Sequence, residues 1–193
     1  MEPPRTLERV QLLKASLGQL PEPSARPVLI VVSGLPGTGK SYFSRRLAEK
    51  IPLLILESDR LRKTLFAKPS YSAAESGALF QAVNVLIEEL LRDGISLILD
   101  ATNLSESYRE RLYRISEKAE AKFILVQTRA PAEVISTRLK AREKAPDSMS
   151  DADWAVYQKL LPTAEPIKMR HFVVDTSRDI EPALRRIVKE AMR

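Results

Sequence analysis

Cysteine is absent from the 193 residues. That excludes a disulfide framework and any thiolate metal site, and it suits a reducing cytoplasm, the expected location. Histidine occurs once, as His171. A Ser-His-Asp arrangement has no other support, and His171 reads as a structural residue in or beside a late strand. No apolar run approaches the roughly 18 residues of a membrane-spanning helix, so no membrane partner is expected. The first residues, Met1-Glu2-Pro3-Pro4-Arg5, lack a basic segment followed by an apolar one, so no secretory signal is expected. There is no internal repeat and no long low-complexity tract. Acidic residues are in the minority, 25 against 31 Lys and Arg, for a net charge of +6. Such a surface tolerates polyanions such as nucleotides or a nucleic-acid end, although a phosphate site alone recruits several basic residues. An apolar fraction of 44% and a charged fraction of 29% are ordinary for one globular domain, with or without an appendage.

What is present is organised around Gly34-Leu35-Pro36-Gly37-Thr38-Gly39-Lys40-Ser41, a match to G-x-x-x-x-G-K-[ST], the P-loop pattern. Val28 to Val32 precedes it as a β-branched apolar run, the mark of a buried strand. Phe43, Leu47 and Ile51 follow at helical spacing. The chemistry needs that order. Glycines let backbone N–H groups turn inward as an anion nest, and the helix N-terminus adds partial positive charge. Lys40 reaches the β- and γ-phosphates, and the Ser41 hydroxyl is suited to Mg²⁺.

Along the chain, residues 5 to 20 read as an amphipathic helix with Leu7, Val10, Leu13, Leu17 and Leu20 on one face. It is either packed on the core or a partner-binding helix. Pro21, Pro23 and Pro27 mark a stiff linker, so residues 1–26 are expected as an appendage to a domain over 27–193. Further strands are expected at 53–56, 95–99, 123–126 and 172–174. Helices are expected from Ser58 or Asp59 through Phe66, and over 72–92, 103–119, 131–144, 151–161 and 179–192. Strands alternating with helices five times predict an α/β fold: a three-layer α/β/α P-loop domain with a mainly parallel five-stranded sheet. Ligands in such sheets sit at the carboxyl ends of the strands.

The polar residues at those ends are the candidates. Asp59 is placed to take the proton of an attacking hydroxyl, with Arg62 beside it to hold an anionic group; the alternative is a helix cap and a solvated charge. Asp100 ends an apolar strand in the manner of a Walker B carboxylate on Mg²⁺, or caps the next helix. Thr102 and Asn103 follow it. Arg138 and Arg142, one helical turn apart, suit a closing lid at about 138–150 that brings positive charge to the migrating phosphoryl group, or form an exposed basic helix with Glu143. Arg129 belongs to the same unit. Asp175-Thr176-Ser177 lines an adenine pocket or caps the last helix. Trp154 and Tyr157 read as packing residues.

Leu35 to Ser41, Ser58-Asp59-Arg60-Leu61-Arg62, Leu99-Asp100-Ala101-Thr102-Asn103 and the pair Arg138/Arg142 together resemble the P-loop kinases related to polynucleotide 5′-hydroxyl kinase. The wider grouping is the AAA-type P-loop kinase-like family, with zeta-toxin, gluconate kinase and adenylylsulfate kinase relatives. The likeness runs from about Val28 to the C-terminus. It implies ATP and Mg²⁺ as cofactors. Gly34 to Ser41, Arg138 and Thr176 would bind ATP; Lys40, Asp59 and Arg142 would be catalytic. Arg62 and Asn103 would hold the acceptor, and Ser41 and Asp100 the metal. The implied activity is transfer of the γ-phosphoryl group to a hydroxyl, foremost a polynucleotide or nucleoside 5′-hydroxyl. A small-metabolite kinase and an ATP-binding module without phosphotransfer are the alternatives. A polynucleotide acceptor would need a basic groove leading to Asp59, built from Arg60, Arg62, Lys63 and Lys68.

Overall fold

The structure, a computed structural model, describes residues 4–143 and 152–193. Five strands form one sheet in the order β2-β3-β1-β4-β5: β1 (Val28–Ser33), β2 (Leu54–Glu57), β3 (Leu97–Asp100), β4 (Lys122–Arg129) and β5 (Phe172–Asp175). Every pairing is parallel. The glycine loop therefore leaves the central strand, which is buried along its whole length.

Side chains alternate across a strand, and β1 feeds two cores. Leu29 and Val31 join Leu97, Leu99 and Leu125 beneath α1 (Pro4–Ser16), α3 (Ser58–Leu65), α4 (Ala73–Arg92) and α5 (Glu106–Lys118). Val28, Ile30 and Val32 join Ile98, Ile124 and Val126 beneath α2 (Lys40–Ala48) and α8 (Glu181–Ala191), which contribute Phe43, Leu47, Leu184 and Ile187. The result is the expected helix-sheet-helix sandwich. A third, small cluster of Ile135, Leu139 and Tyr157 joins α6 (Ala132–Glu143) to α7 (Trp154–Leu160) and packs against Leu35 of the glycine loop.

Several boundaries differ from expectation, each for a local reason. Helix α1 ends at Ser16, whose hydroxyl donates to the Leu13 carbonyl at 2.7 Å. Val10 and Leu13 enter the core, whereas Leu7 and Leu20 stay over 40% exposed. Thus α1 takes the packed alternative, lying on α4 and α3. Neither Ser58 nor Asp59 caps α3, because the helix begins at Ser58. Helix α5 begins at Glu106 rather than Asn103, since Asn103 is left-handed at φ 48°; Asp100 therefore caps no helix. Helix α7 begins at Trp154, with Asp153 as its cap, accepting from the Val156 amide at 2.8 Å. Residues Asp175 to Ser177 form a turn, and Asp179 accepts from the first amide of α8. Of the expected lid at about 138–150, the turn lies outside the described residues.

Candidate functional site

In the glycine loop, Gly37 (φ 79°) and Gly39 (φ 84°) hold left-handed conformations that favour glycine. Space is also closed there. A Cβ on Gly37 would stand 2.8 Å from the Ile135 side chain, and one on Gly39 2.8 Å from the Thr176 hydroxyl. Thr38 fixes the loop from below. Its hydroxyl donates to the Leu35 carbonyl at 2.7 Å and lies 2.8 Å from that of Thr128 on β4. Lys40 folds back to donate to the Leu35 carbonyl at 3.2 Å.

The parallel register sets the carboxylates. Asp100 pairs in register with Val32 on one side and Glu57 on the other, so the ends of β1, β2 and β3 are level. Asp59, two residues past Glu57, occupies the first turn of α3. Lys40, Ser41, Asp59 and Asp100 all line one cleft of about 1140 Å³. Burial pushes the Lys40 ammonium below its ordinary range; Asp100 and Asp59 oppose that shift and Arg142 adds to it. Burial likewise pushes the Asp100 carboxyl up, against the pull of Lys40 and the Ser41 hydroxyl. Desolvation outweighs mutual attraction for both. Asp100 Oδ2 is buried without a hydrogen-bond partner among the described residues. A hard cation fits there. Mg²⁺ prefers one or two protein oxygens, with phosphate and water completing the octahedron, and Ser41 and Asp100 supply that kind of donor.

Arg138 is held. It donates to the Thr176 hydroxyl and carbonyl, each at 2.8 Å, and to the Gly37 carbonyl at 3.3 Å. The Thr176 hydroxyl in turn donates to the Thr38 carbonyl at 2.7 Å. Both residues therefore brace the loop, and both line the cleft. Arg142 lines it too. Arg129 turns away, exposed, and donates to the Gln127 side chain at 2.9 Å.

The acceptor residues divide. Arg62 lines the cleft but is spent on Glu75, with which it forms a short ion pair, and on the Ser76 hydroxyl at 3.2 Å. Asn103 is interior, 4% exposed; its amide donates to the Val32 and Ala101 carbonyls and binds the end of β1 to the end of β3. Thr102 is the neighbour that reaches the cleft. His171 lies beside β5, its Nδ1 2.8 Å from the Met169 carbonyl. Trp154 stacks on Tyr157 at 4.8 Å, within the small cluster.

Two further residues were not singled out from the sequence. Arg109, 1% exposed, binds Glu106 and the carbonyls of Asn103, Glu165 and Pro166. It thereby ties the chain after α7 to the end of β3. No spacing distinguishes it from its basic neighbours on α5. Glu75 had a signal: Ser72-x-x-Glu75 has the form of a capping box. Ser72 does accept from the Glu75 amide, at 3.2 Å.

A family model described as an AAA domain (AAA_33) matches residues 29–167. The chain belongs to that family. Among curated relatives, L-seryl-tRNA(Sec) kinase of Methanococcus maripaludis is 30% identical over 128 residues, 63% of this chain and 49% of that protein. Adenylyl-sulfate kinase of Myxococcus xanthus is 25% identical over 114 residues, 57% of this chain and 62% of that one. The match thus spans about half to three-fifths of these relatives. The fold recurs in Chaetomium thermophilum Kti12 in complex with ADP-AlF3, with TM-score 0.69, 22% identity, and 85% of this chain and 97% of that one covered. It recurs also in the Mycobacterium tuberculosis APS kinase CysC in complex with AMPPNP and APS, with TM-score 0.66, 18% identity, and 89% and 100% covered. This AAA_33 chain therefore has the architecture of a P-loop kinase.

Proposed function

We propose that the chain transfers the γ-phosphoryl group of ATP to the hydroxyl of a small acceptor. The observation that carries this reading is the shared cleft: Asp59 stands with Lys40 and Asp100 beside the glycine loop, and its charge acts on both of them. A P-loop that only bound nucleotide would have no need of a second carboxylate there. Asp59 takes the acceptor proton as the acceptor oxygen bonds to the γ-phosphorus. The bond from that phosphorus to the β–γ bridging oxygen breaks, and ADP leaves. Lys40 and Arg142 carry the charge that spreads over the migrating group. Mg²⁺ held by Ser41 and Asp100 would neutralise phosphate charge.

A small acceptor is favoured over a strand by the basic residues. Of Arg60, Arg62, Lys63 and Lys68, Arg62 alone lines the cleft among the described residues. Within the 5′-hydroxyl class this supports a nucleoside rather than a polynucleotide.

The test is a screen with γ-labelled ATP and Mg²⁺ against nucleosides, sugars, sugar nucleotides and 5′-hydroxyl oligomers. Label on a small hydroxyl compound is expected. Asp59→Asn should lower turnover by about 10²-fold or more without changing ATP affinity. ATP bound with no label transferred to any acceptor would instead favour a binding module.

A further inference from the structure

Past Asp59, around Arg62 on α3, the cleft wall has a particular charge balance. Its arginine is cancelled where it stands. Arg62 and Glu75 are each 8% exposed in their side chains and form an ion pair. Glu75 also accepts from the Ser70 amide at 2.6 Å, the Ser70 hydroxyl at 2.8 Å and the Tyr71 amide at 3.3 Å. The loop before α4 is therefore wrapped around that carboxylate. This wrapping sets Tyr71, left-handed at φ 53°, with its ring over the Arg62 guanidinium at 4.8 Å. Tyr71 remains 46% exposed and lines the cleft. Phe80, on α4 one turn past Ser76 and braced by Tyr108 at 4.9 Å, lines the same cleft. Among the described residues that line the cleft, Arg45, Arg46 and Arg178 pair with Glu57, Glu49 and Asp175, whereas Lys40, Arg138 and Arg142 gather at the glycine loop.

An anionic group entering beyond Asp59 would meet a paired arginine and would have to displace a carboxylate to reach it. A flat, uncharged body would meet aromatic and apolar side chains. Base–aromatic stacking needs no charge on the ligand, and an aromatic ring backed by a guanidinium is a firm stacking surface. From this geometry we infer that the chain recognises its acceptor as a neutral, flat-bodied alcohol of the nucleoside type, packed against Tyr71 and Phe80, and that Glu75 enforces the choice by cancelling Arg62. The inference rests on the kinase reading above and narrows its acceptor; it sets aside acceptors phosphorylated next to the reacting hydroxyl.

The test is calorimetric binding of thymidine and thymidine 3′-monophosphate to the full chain, saturated with a non-hydrolysable ATP analogue and Mg²⁺. Thymidine is expected to bind about tenfold or more tighter than its monophosphate. Tyr71→Ala should weaken thymidine about tenfold. Glu75→Gln, which keeps the shape and removes the charge, should move the preference at least tenfold toward the monophosphate. Thermal melting of both variants establishes that they are folded, and Tyr71, half exposed in a loop, is the variant that spares the core. A monophosphate bound as tightly as thymidine by the unaltered chain, a folded Glu75→Gln variant with unchanged preference, or no thymidine binding would each overturn the inference. Binding and transfer fail separately. Selective thymidine binding without label transfer would sink the kinase reading alone. Label passing to 3′-phosphorylated or oligomeric acceptors in preference to thymidine would sink the acceptor assignment alone.

Discussion

Arg138 and Thr176 are joined twice, by bonds of 2.8 Å to the hydroxyl and 2.8 Å to the carbonyl. The helix over the phosphate loop is thereby fastened to the turn after the last strand, and the loop is held between them. Thr176→Val removes the hydroxyl that receives Arg138 and donates to Thr38, while keeping the shape. A hydrogen bond to a charged group contributes about 1.5–3 kcal/mol. Affinity for an ATP analogue should fall about tenfold or more by calorimetry; an unchanged affinity would mean that the brace does not serve the loop.

Lys40→Ala removes the one ammonium inside the loop. Losing a preorganised charge on the transferring group should lower turnover by about 10²–10³-fold or more, read in single-turnover transfer. A variant retaining over about a tenth of wild-type turnover would remove Lys40 from the chemistry.

Gly37→Ala places a methyl group against Ile135 in a backbone conformation that alanine resists. The expected loss is about 1–3 kcal/mol of stability, with ATP binding impaired in the same variant. Urea melts alongside calorimetry check both.

Arg109→Ala leaves Glu106 buried, with the carbonyls of Asn103, Glu165 and Pro166 deprived of their shared donor. Removing one partner of a buried pair destabilises by about 3–5 kcal/mol. The urea midpoint should fall with its slope unchanged. A shift under about 1 kcal/mol would place the clamp in the class of surface pairs.

Glu75 carries a pH dependence of known sign. Burial opposes its ionisation, but the Ser70 amide, the Arg62 guanidinium, the Ser70 hydroxyl and the Tyr71 amide outweigh it and bring the carboxyl from 4.5 down to about 2. A carboxylate depressed on folding stabilises above its unfolded pKa and loses that contribution as pH falls through the folded one. The loop around Ser70 and Tyr71 should therefore stay anchored at pH 5 and loosen between about pH 4.5 and 2. Amide resonances of Ser70 and Tyr71 followed through that range should move with the Glu75 carboxyl. Amides that shift only near pH 4.5 would contradict the anchoring.

The sheet was legible because its signal is local. Val28 to Val32 and Leu97 to Leu99 are apolar runs short enough to be strands, and the glycine pattern between strand and helix admits few other structures. Asp59 and Asp100 were legible for the same reason, since a polar residue at a strand's carboxyl end lies at the ligand edge of a parallel sheet. What was not legible is pairing across long separations. Arg62 read as free because its partner Glu75 lies thirteen positions on, beyond a loop. Asn103 read as acceptor-facing because its left-handed backbone, which turns it inward, has no sequence mark. Arg109 meets residues 56 and 57 positions away, and no periodicity reports such a contact.

Among the described residues, the roof over the phosphate loop has its own small apolar cluster of Ile135, Leu139 and Tyr157, with Leu35, Ala130 and Trp154 against it, apart from both main cores. So small a cluster, with the Arg138 bonds to Thr176 and Gly37, ties α6 and α7 to the sheet less firmly than the main cores tie the other helices. In hydrogen-exchange language, these two helices form a low-stability foldon. Their amides should exchange through a sub-global opening well before those of β1, whose release requires unfolding both faces. Such an opening would uncover the phosphate site and restore it without disturbing the strand from which the loop springs.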